Sequence, residues 1–221
     1  MNLKELWHKY YIDPRKRRLM ARYGLPVLKE LDRIMRKNAV PYSLVYGSLL
    51  GAVREKGFIP HDCDVDIALW ADEDYSGVWE DLRAAGFTQK RHILVDDGKF
   101  GREETWRYHG IYVDFFFFMP DGHGGYYGTE FYNQPGCRNW TESIRRYGGL
   151  QVLKTLLPMA KEVEYVPFES IRMPITRQAM DFVVEYYGPS WRVPDPSFVY
   201  PRKGETNYEE CPDKLGILTQ F

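Results

Sequence analysis

Hydrophobic residues recur along the chain with two different periods, and these periods predict where helices and strands lie. Leu28, Leu31 and Ile34 fall at helical spacing with charged residues between them, which is typical of a helix with one buried face. Shorter apolar runs that end at Gly or Pro are typical of strands. The pattern predicts helices over 18–37, 48–55, 75–85, 141–156 and 175–187 and strands over 42–46, 64–69, 88–95, 104–109 and 111–118.

The order of these elements indicates an α+β or α/β protein. Helices precede and interrupt a middle section that is mostly strand, and a length of 221 residues suits one domain. We therefore expect a single domain over 1–221. Within it we expect a basic helical segment over 1–40, a core and helical cap over 42–194, and a tail over 195–221.

Charge is distributed unevenly, although the net charge is only −1. Residues 1–40 carry eleven Lys and Arg against four acidic residues, a local charge of +7, and the remainder sums to −8. A near-neutral chain is not typical of a general nucleic-acid binder, so no nucleic-acid partner is expected. The basic run at 15–18 is either a solvated helix start or a contact with an anionic membrane surface.

Cysteine and hydropathy patterns indicate the cellular compartment of the protein. Cys63, Cys137 and Cys211 are odd in number, widely spaced and without a CxxC pair, which indicates neither a zinc knuckle nor a disulfide framework. The first residues lack the apolar stretch of a secretion signal. The longest apolar run, 112–119, is too short for a bilayer, which needs about 20 residues. We expect a cytoplasmic protein, soluble or peripheral at the inner face of the membrane.

Three aspartates stand two residues apart where the second predicted strand begins. On a strand, Asp62, Asp64 and Asp66 would project to one side while Val65 and Ile67 project to the other, into a core. Carboxylates this close raise one another's pKa, and a hard divalent cation such as Mg²⁺ or Mn²⁺ removes that repulsion. The alternative is a solvated acidic turn.

A fourth aspartate, Asp114, interrupts the apolar run YVDFFFF at 112–118. An unpaired buried charge is costly, so this carboxyl group must face a polar cavity, meet a cation or be protonated. A metal shared with Asp64 and Asp66 satisfies this requirement. The alternative is an aspartate at a strand edge that accepts backbone hydrogen bonds.

Gly47 and Ser48 lie between the first strand and the helix predicted after it. A glycine lets the backbone approach a phosphate closely, and the free N–H groups of a helix start point at such an anion. Ser48 is the predicted N-cap of this helix. A Gly-Ser pair is common and indicates little on its own. It becomes informative through the order of the elements: a strand, Gly-Ser, a helix, a strand with Asp64 and Asp66, and a later strand with Asp114.

That order is the pattern of the nucleotidyltransferase fold, the DNA polymerase beta-like superfamily. Within it the chain resembles the LicD family, which includes bacterial phosphocholine transferases and the fukutin-type proteins. The resemblance is carried by GSLLGAVREKGFIPHDCDVDIAL (47–69), YVDFFFF (112–118) and IRMPITRQAMDFVVEYYGPSWRVP (171–194). Cys63 stands where family members often carry a further Asp. Because it lies on the alternate face, its presence should not remove a metal ligand.

The resemblance implies an α+β fold, a nucleotidyltransferase-like mixed sheet flanked by helices, with helical additions at both ends. It implies transfer of a phospho-alcohol group, phosphocholine first of all, from a CDP-activated donor to a hydroxyl of a glycan or lipid-linked glycan, with release of CMP. Asp64, Asp66 and Asp114 would act in catalysis and hold one or two Mg²⁺ or Mn²⁺ ions, with Asp62 as a further ligand. Gly47 and Ser48 would bind donor phosphate.

Basic residues near these motifs are candidates for binding the anionic donor. They are Arg54, Lys56, His61 and Arg107. Each has a plainer interpretation as part of a solvated helix end, a surface turn or a solvent-facing strand position.

Two other functions remain open at this point. The same acids and Gly-Ser pair would serve a nucleotidyltransferase that moves NMP from an NTP to a small-molecule acceptor. A non-catalytic relic of the fold could bind cations or glycans. A calcium module of the EF-hand type is not predicted, because the Gly and Glu that its loop requires are absent.

Overall fold

The computed structural model describes residues 13–60, 62–195, 198, 200 and 207–221. Within these residues the helices are α1 (Asp13–Lys37), α2 (Tyr46–Arg54), α3 (Ser76–Ala84), α4 (Trp140–Tyr147) and α5 (Ala179–Tyr187). The strands there are β1 (Ser43–Leu44), β2 (Asp64–Trp70), β3 (Thr88–Val95), β4 (Gly101–Tyr108), β5 (Ile111–Pro120), β6 (Tyr126–Tyr132), β7 (Gln151–Thr155), β8 (Val163–Phe168), β9 (Ile171–Thr176), β10 (Tyr208–Glu210) and β11 (Ile217–Gln220). The expected α+β class is confirmed.

The strands join into one mixed sheet that divides at β5. On one edge β5 pairs in parallel with β2, which is followed by β1, β9 and β8. On the other edge the first part of β5 pairs with β4, which leads to β3 and β11. The last two residues of β5 pair instead with β6, which leads to β7 and β10. Strands β2 and β5 are thus the centre of the sheet.

One face of β2 and β5 belongs to the hydrophobic core. Val65, Ile67, Val113 and Phe115 on this face are fully buried. The ring of Trp79 on α3 packs edge-on against Phe115, with 5.3 Å between ring centroids. Because side chains alternate along a strand, the aspartates of β2 and β5 must project from the opposite face.

Helices α2 and α5 cover the far end of this opposite face. The ring of Tyr46 makes edge-to-face contacts with Phe116 of β5 and Phe182 of α5, at centroid distances of 4.8 and 5.7 Å. Phe116 lies two residues beyond Asp114 on the same strand. The aspartates lie toward the start of the two strands, where Tyr187 of α5 is close to Asp66 and Asp62: burial, followed by the charges of these two aspartates, raises the pKa of Tyr187.

The first turns of α1 lie beside the turn between β4 and β5. The ring of Tyr23 stacks on His109, with 5.2 Å between centroids, and a Cβ on Gly110 would stand 3.1 Å from Leu19 Cδ1. The basic start of α1 is thus at the end of the sheet where β5 begins. In the described part of the chain, no helix combines the length and apolar character that spanning a bilayer requires.

The predicted helix over 141–156 is wrong in its second half. Helix α4 ends at Tyr147, because Gly148 adopts a left-handed conformation with φ of 81° and caps it. The residues that follow form β7, which pairs with β6 and β10 and buries Val152 and Leu153.

The predicted helix over 175–187 begins late, at Ala179, because Ile175 belongs to β9. Strands β8 and β9 form an antiparallel hairpin that the pattern does not predict. Each contains a proline, Pro167 or Pro174, and proline in an apolar run argues against a strand. The pattern also does not predict β6, β10 and β11.

Candidate functional site

The register of β2 and β5 brings the predicted aspartates to one place. Asp66 and Asp114 are direct partners across the two parallel strands, and Asp64 is the partner of Tyr112. These side chains share a face, which we call the acidic face. Thr105 of β4 is the partner of Asp114 on its other side, so its hydroxyl lies on the same face. Neighbouring partners of this kind have their Cβ atoms about 5 Å apart.

The Gly-Ser pair contacts Asp66 directly. The backbone N–H of Ser48 donates to Asp66 Oδ2 at 3.3 Å, and the Asp66 N–H donates to Ser48 Oγ at 2.9 Å. A Cβ on Gly47 would stand 3.1 Å from Asp66 Oδ2 and 3.4 Å from both carboxylate oxygens of Asp62. A residue with a side chain would therefore crowd both carboxylates, which explains glycine at this position.

Two expectations about this segment are corrected. Helix α2 begins at Tyr46, and its N-cap is Val45 without a side-chain cap, so Ser48 is not the predicted N-cap. The Ser48 hydroxyl is instead occupied by the backbone of Asp66. Asp62 lies outside β2, yet its carboxylate joins the group through its proximity to Gly47.

A hydrogen-bond chain on the acidic face leads from Arg91 to Asp114. Arg91 Nε donates to Thr105 Oγ1 at 2.9 Å, and the Thr105 hydroxyl donates to Asp114 Oδ1. A terminal nitrogen of Arg91 lies 3.4 Å from Glu103 Oε1 and 3.9 Å from Asp114 Oδ1. The guanidinium packs on the ring of Trp140, 5.0 Å from its centroid. One cation is therefore held between two buried carboxylates.

Sequence reasoning missed three residues of this hydrogen-bonded group, Arg91, Glu103 and Thr105. A signal for Thr105 was present, because His109 and Gly110 form a two-residue turn with positive φ values of 49° and 86°. Such a turn is typical of a tight hairpin and fixes the pairing register, which places Thr105 opposite Asp114.

Burial raises the pKa values of the carboxyl groups on the acidic face. It raises the pKa of Asp62 to about 7 and that of Asp114 to about 6, with the charge of Asp64 adding to both. Burial raises the pKa of Asp66 well above its ordinary range, and the three neighbouring aspartates raise it further. Burial, followed by the charge of Asp114, raises the pKa of Glu103 to about 7. Negative charge on this face is thus only partly compensated by the protein.

The chemistry of this donor set fits a hard divalent cation. Carboxylate oxygens are the ligands that Mg²⁺ and Mn²⁺ prefer, and buried carboxylates that repel one another are stabilised by a cation among them. Over the ranges that the structure describes, no three His, Cys, Asp or Glu side chains form a ready-made group for a metal ion. Binding would therefore require these side chains to close around the ion.

A pocket of about 510 Å³ opens next to Gly47 and Asp62. Arg54 and Tyr187 are part of its wall. Arg54 pairs with Glu55 at 2.8 Å, and its charge lowers the pKa of Asp62, against the larger effect of burial. The predicted substrate-binding residue Arg54 is thus close to the aspartates.

The other predicted basic residues are placed differently. Arg107 lies over the ring of Tyr112, 5.6 Å from its centroid, and so borders the acidic face. Lys56 is exposed in the turn after α2 with a φ of 57°, and no described contact joins its side chain to the aspartates. His61 lies outside the described residues.

Curated relatives match short stretches of the chain. An uncharacterised protein of Rickettsia prowazekii is 36% identical over 66 residues, 30% of this chain and 23% of that protein. The lipopolysaccharide cholinephosphotransferase LicD of Haemophilus influenzae is 41% identical over 49 residues, 22% of this chain and 18% of that protein. An uncharacterised protein of Rickettsia typhi is 35% identical over 66 residues, 30% of this chain and 20% of that protein. Each match spans about a fifth of the relative.

A family model provides a longer match. The model described as LicD/FKTN/FKRP, nucleotidyltransferase domain, matches residues 39–178, a range that contains β1 to β9 and the whole acidic face. Because this match covers more than half of the 221 residues, the chain belongs to the LicD family.

Proposed function

We propose that this protein has a nucleotidyltransferase-like fold and transfers a phospho-alcohol group from a CDP-activated donor to a hydroxyl of a glycan or glycolipid, releasing CMP. Phosphocholine is the group we expect to be transferred. One observation carries the proposal: Asp66 and Asp114 are partners in adjacent parallel strands, with the Gly47–Ser48 backbone against Asp66. Membership of the LicD family supports a transferase of this kind.

The acidic face suits phosphoryl transfer, which depends mainly on charge neutralisation and positioning. Asp64, Asp66 and Asp114 would hold one or two Mg²⁺ or Mn²⁺ ions, with Asp62 as a further ligand. A bound cation would supply charge neutralisation for the donor pyrophosphate. Asp114 would also orient the attacking hydroxyl, because Thr105 fixes one of its oxygens.

The identity of the donor is supported by a relative. The Haemophilus protein is named a lipopolysaccharide cholinephosphotransferase, and we carry choline and a surface glycan to this chain as a proposal. The pocket beside Gly47 and Asp62 has room for the alcohol part of a donor, with Arg54 as a cation for a phosphate.

The test is calorimetric titration with CDP-choline, CDP-glycerol, CDP-ribitol, CTP and ATP, each with and without Mg²⁺, followed by product analysis. We expect Mg²⁺-dependent binding of one CDP-alcohol, release of CMP, and loss of both in Asp64→Ala. Asp181→Ala is the matched control, since Asp181 is an exposed acid on α5. Circular dichroism of each variant reports whether the fold is retained.

Other products would support other functions. A nucleotide retained on the acceptor, with preference for CTP or ATP, would identify a nucleotidyltransferase that moves NMP. Cation or glycan binding without turnover of any nucleotide would identify a non-catalytic relic. Full activity in Asp114→Ala would refute the role given to that residue.

A further inference from the structure

Two cations converge on one tyrosine ring at the border of the acidic face. Lys16 Nζ lies 5.7 Å from the centroid of the Tyr112 ring, and the Arg107 guanidinium lies 5.6 Å from the same centroid. Tyr112 is the strand partner of both Asp64 and Arg107. Across the sheet, charge thus changes from negative at Asp64 to positive at Arg107, with Tyr112 between them. Lys16 of α1 contributes a second positive charge beside Tyr112.

Neither of these cations forms a close ion pair with a carboxylate of the described chain. No ion pair within 4.0 Å involves Lys16 or Arg107 among the residues that the structure describes. Arg91, one row further along the sheet, differs because it reaches both Glu103 and Asp114 within that distance. Lys16 and Arg107 therefore present positive charge that an external anion can use.

Lys16 differs from its neighbours in the basic run. Arg15, Arg17 and Arg18 are exposed, whereas Lys16 is half-buried against Tyr112. Its charge also lowers the pKa values of Asp64 and Asp114, against the larger effect of burial on both. The run is thus not uniformly a solvated or membrane-facing surface, because one of its residues is turned toward the acidic face.

We propose that Lys16 and Arg107 form a binding site for a phosphate group of the substrate, beside the Tyr112 ring. This inference rests on the proposed function and names a part of its substrate site. Both side chains suit the task, because Lys offers a mobile point charge and Arg a planar fork of donors for phosphate oxygens. The phosphate belongs either to the nucleotide half of the donor or to a phosphorylated acceptor.

The test measures binding of CMP, inorganic pyrophosphate and glucose 6-phosphate by calorimetry in metal-free buffer. We expect Lys16→Gln and Arg107→Gln each to weaken binding of the preferred phosphate roughly tenfold, the equivalent of about 1.4 kcal/mol. Lys16→Arg should retain most of the affinity, since it keeps the charge. Added salt should weaken the wild-type protein more than either Gln variant.

Matched control variants distinguish the loss of this binding site from the loss of a positive charge elsewhere on the protein. Lys29→Gln removes the same charge from an exposed position on α1, 13 residues further along and so about 20 Å away. Arg83→Gln removes a cation that packs on Trp106, 5.3 Å from its centroid, and this ring lies on the core side of β4. Both controls should bind phosphate as the wild type does.

The outcomes are distinct. Loss of CMP and pyrophosphate binding in the two variants assigns the site to the nucleotide half of the donor, and loss confined to glucose 6-phosphate assigns it to the acceptor. Wild-type affinity for all three ligands in both variants, or no binding by the wild type, overturns the inference.

CDP-alcohol turnover is measured in parallel. Unchanged kcat and KM in Lys16→Gln would reject this site alone, whereas phosphate binding without any turnover would reject only the proposed function.

Discussion

Glu130 offers a sharp test of how burial controls charge in this fold. Its Oε2 accepts a hydrogen bond from the Tyr132 hydroxyl. Its Oε1 is buried, and the hydroxyl groups of Tyr46 and Tyr186 lie close enough to this carboxyl group to lower its pKa. Burial raises the pKa of Glu130 to about 7 from an ordinary 4.5, and the hydroxyl groups of Tyr132, Tyr186 and Tyr46 offset only part of this rise.

The perturbation is Glu130→Gln, which reproduces the shape of the protonated acid. The Tyr132 hydroxyl also lies 3.0 Å from the carbonyl of Tyr200 and can donate to it. The amide N–H₂ can then donate to the Tyr132 oxygen, as the protonated carboxyl group would. The substitution should therefore preserve the local packing while removing a charge that the folded state disfavours.

The magnitude follows from the two pKa values. The folded protein holds this proton up to about pH 7, whereas the unfolded chain loses it near pH 4.5. Stability from this group is therefore greatest below pH 4.5 and is lost as the pH rises toward 7. Relative to low pH, the free energy of unfolding is reduced by about 3 kcal/mol at pH 8 and by less than about 1 kcal/mol at pH 5. Glu130→Gln should recover these amounts.

The assay is urea unfolding at pH 5 and pH 8, with tryptophan fluorescence as the signal. We expect the variant to gain about 3 kcal/mol in the free energy of unfolding at pH 8 and little at pH 5. Glu80→Gln, at an exposed position on α3, should change neither value. An equal change at both pH values would show that Glu130 does not carry a raised pKa, and a loss of stability at pH 8 would show that its charge is needed.

Three further predictions concern the acidic face. Thr105→Val removes the hydrogen bond to Asp114 and should lower kcat roughly tenfold, whereas Thr129→Val, which removes a buried hydroxyl without a described partner, should leave kcat unchanged. Gly47→Ala places a Cβ 3.1 Å from Asp66 Oδ2 and should lower Mg²⁺-dependent turnover, because the carboxylate must shift to make room; wild-type turnover would contradict the close approach. Asp66→Asn should abolish turnover yet raise the urea midpoint at pH 8, and a lower midpoint would show that this carboxylate stabilises the fold.

The central strands and their aspartates could be predicted because local patterns specify them. An apolar strand with one buried carboxylate needs a partner for that charge, and the alternating acids of β2 point away from a core. These two arguments, taken together, predicted that Asp64, Asp66 and Asp114 share a site. The structure adds the register, in which Asp66 and Asp114 are partners and Asp64 lies one row away.

The contribution of β3 and β4 could not be read from local patterns. Arg91 reaches Thr105 only through the pairing of β3 with β4, and that pairing shifts register between Gln89 and Arg91. Such a shift moves every later side chain to a different partner. Strands that contain Pro167 or Pro174 were missed for another reason, since sheet pairing over the rest of each strand outweighs the hydrogen bond that a proline cannot make.

The two kinds of buried acid in this protein have different physical explanations. Glu130 has tyrosine neighbours that can satisfy it as a neutral acid, so its proton can remain with it inside the fold. Asp66 accepts a hydrogen bond from the Ser48 N–H, a donor suited to a carboxylate, while three other aspartates oppose its charge. A neutral acid would relieve that repulsion but would be a poor ligand for a cation. The arrangement around Asp66 therefore suits the metal ion proposed above, and replacing Asp66 should separate activity from stability in a way that replacing Glu130 does not.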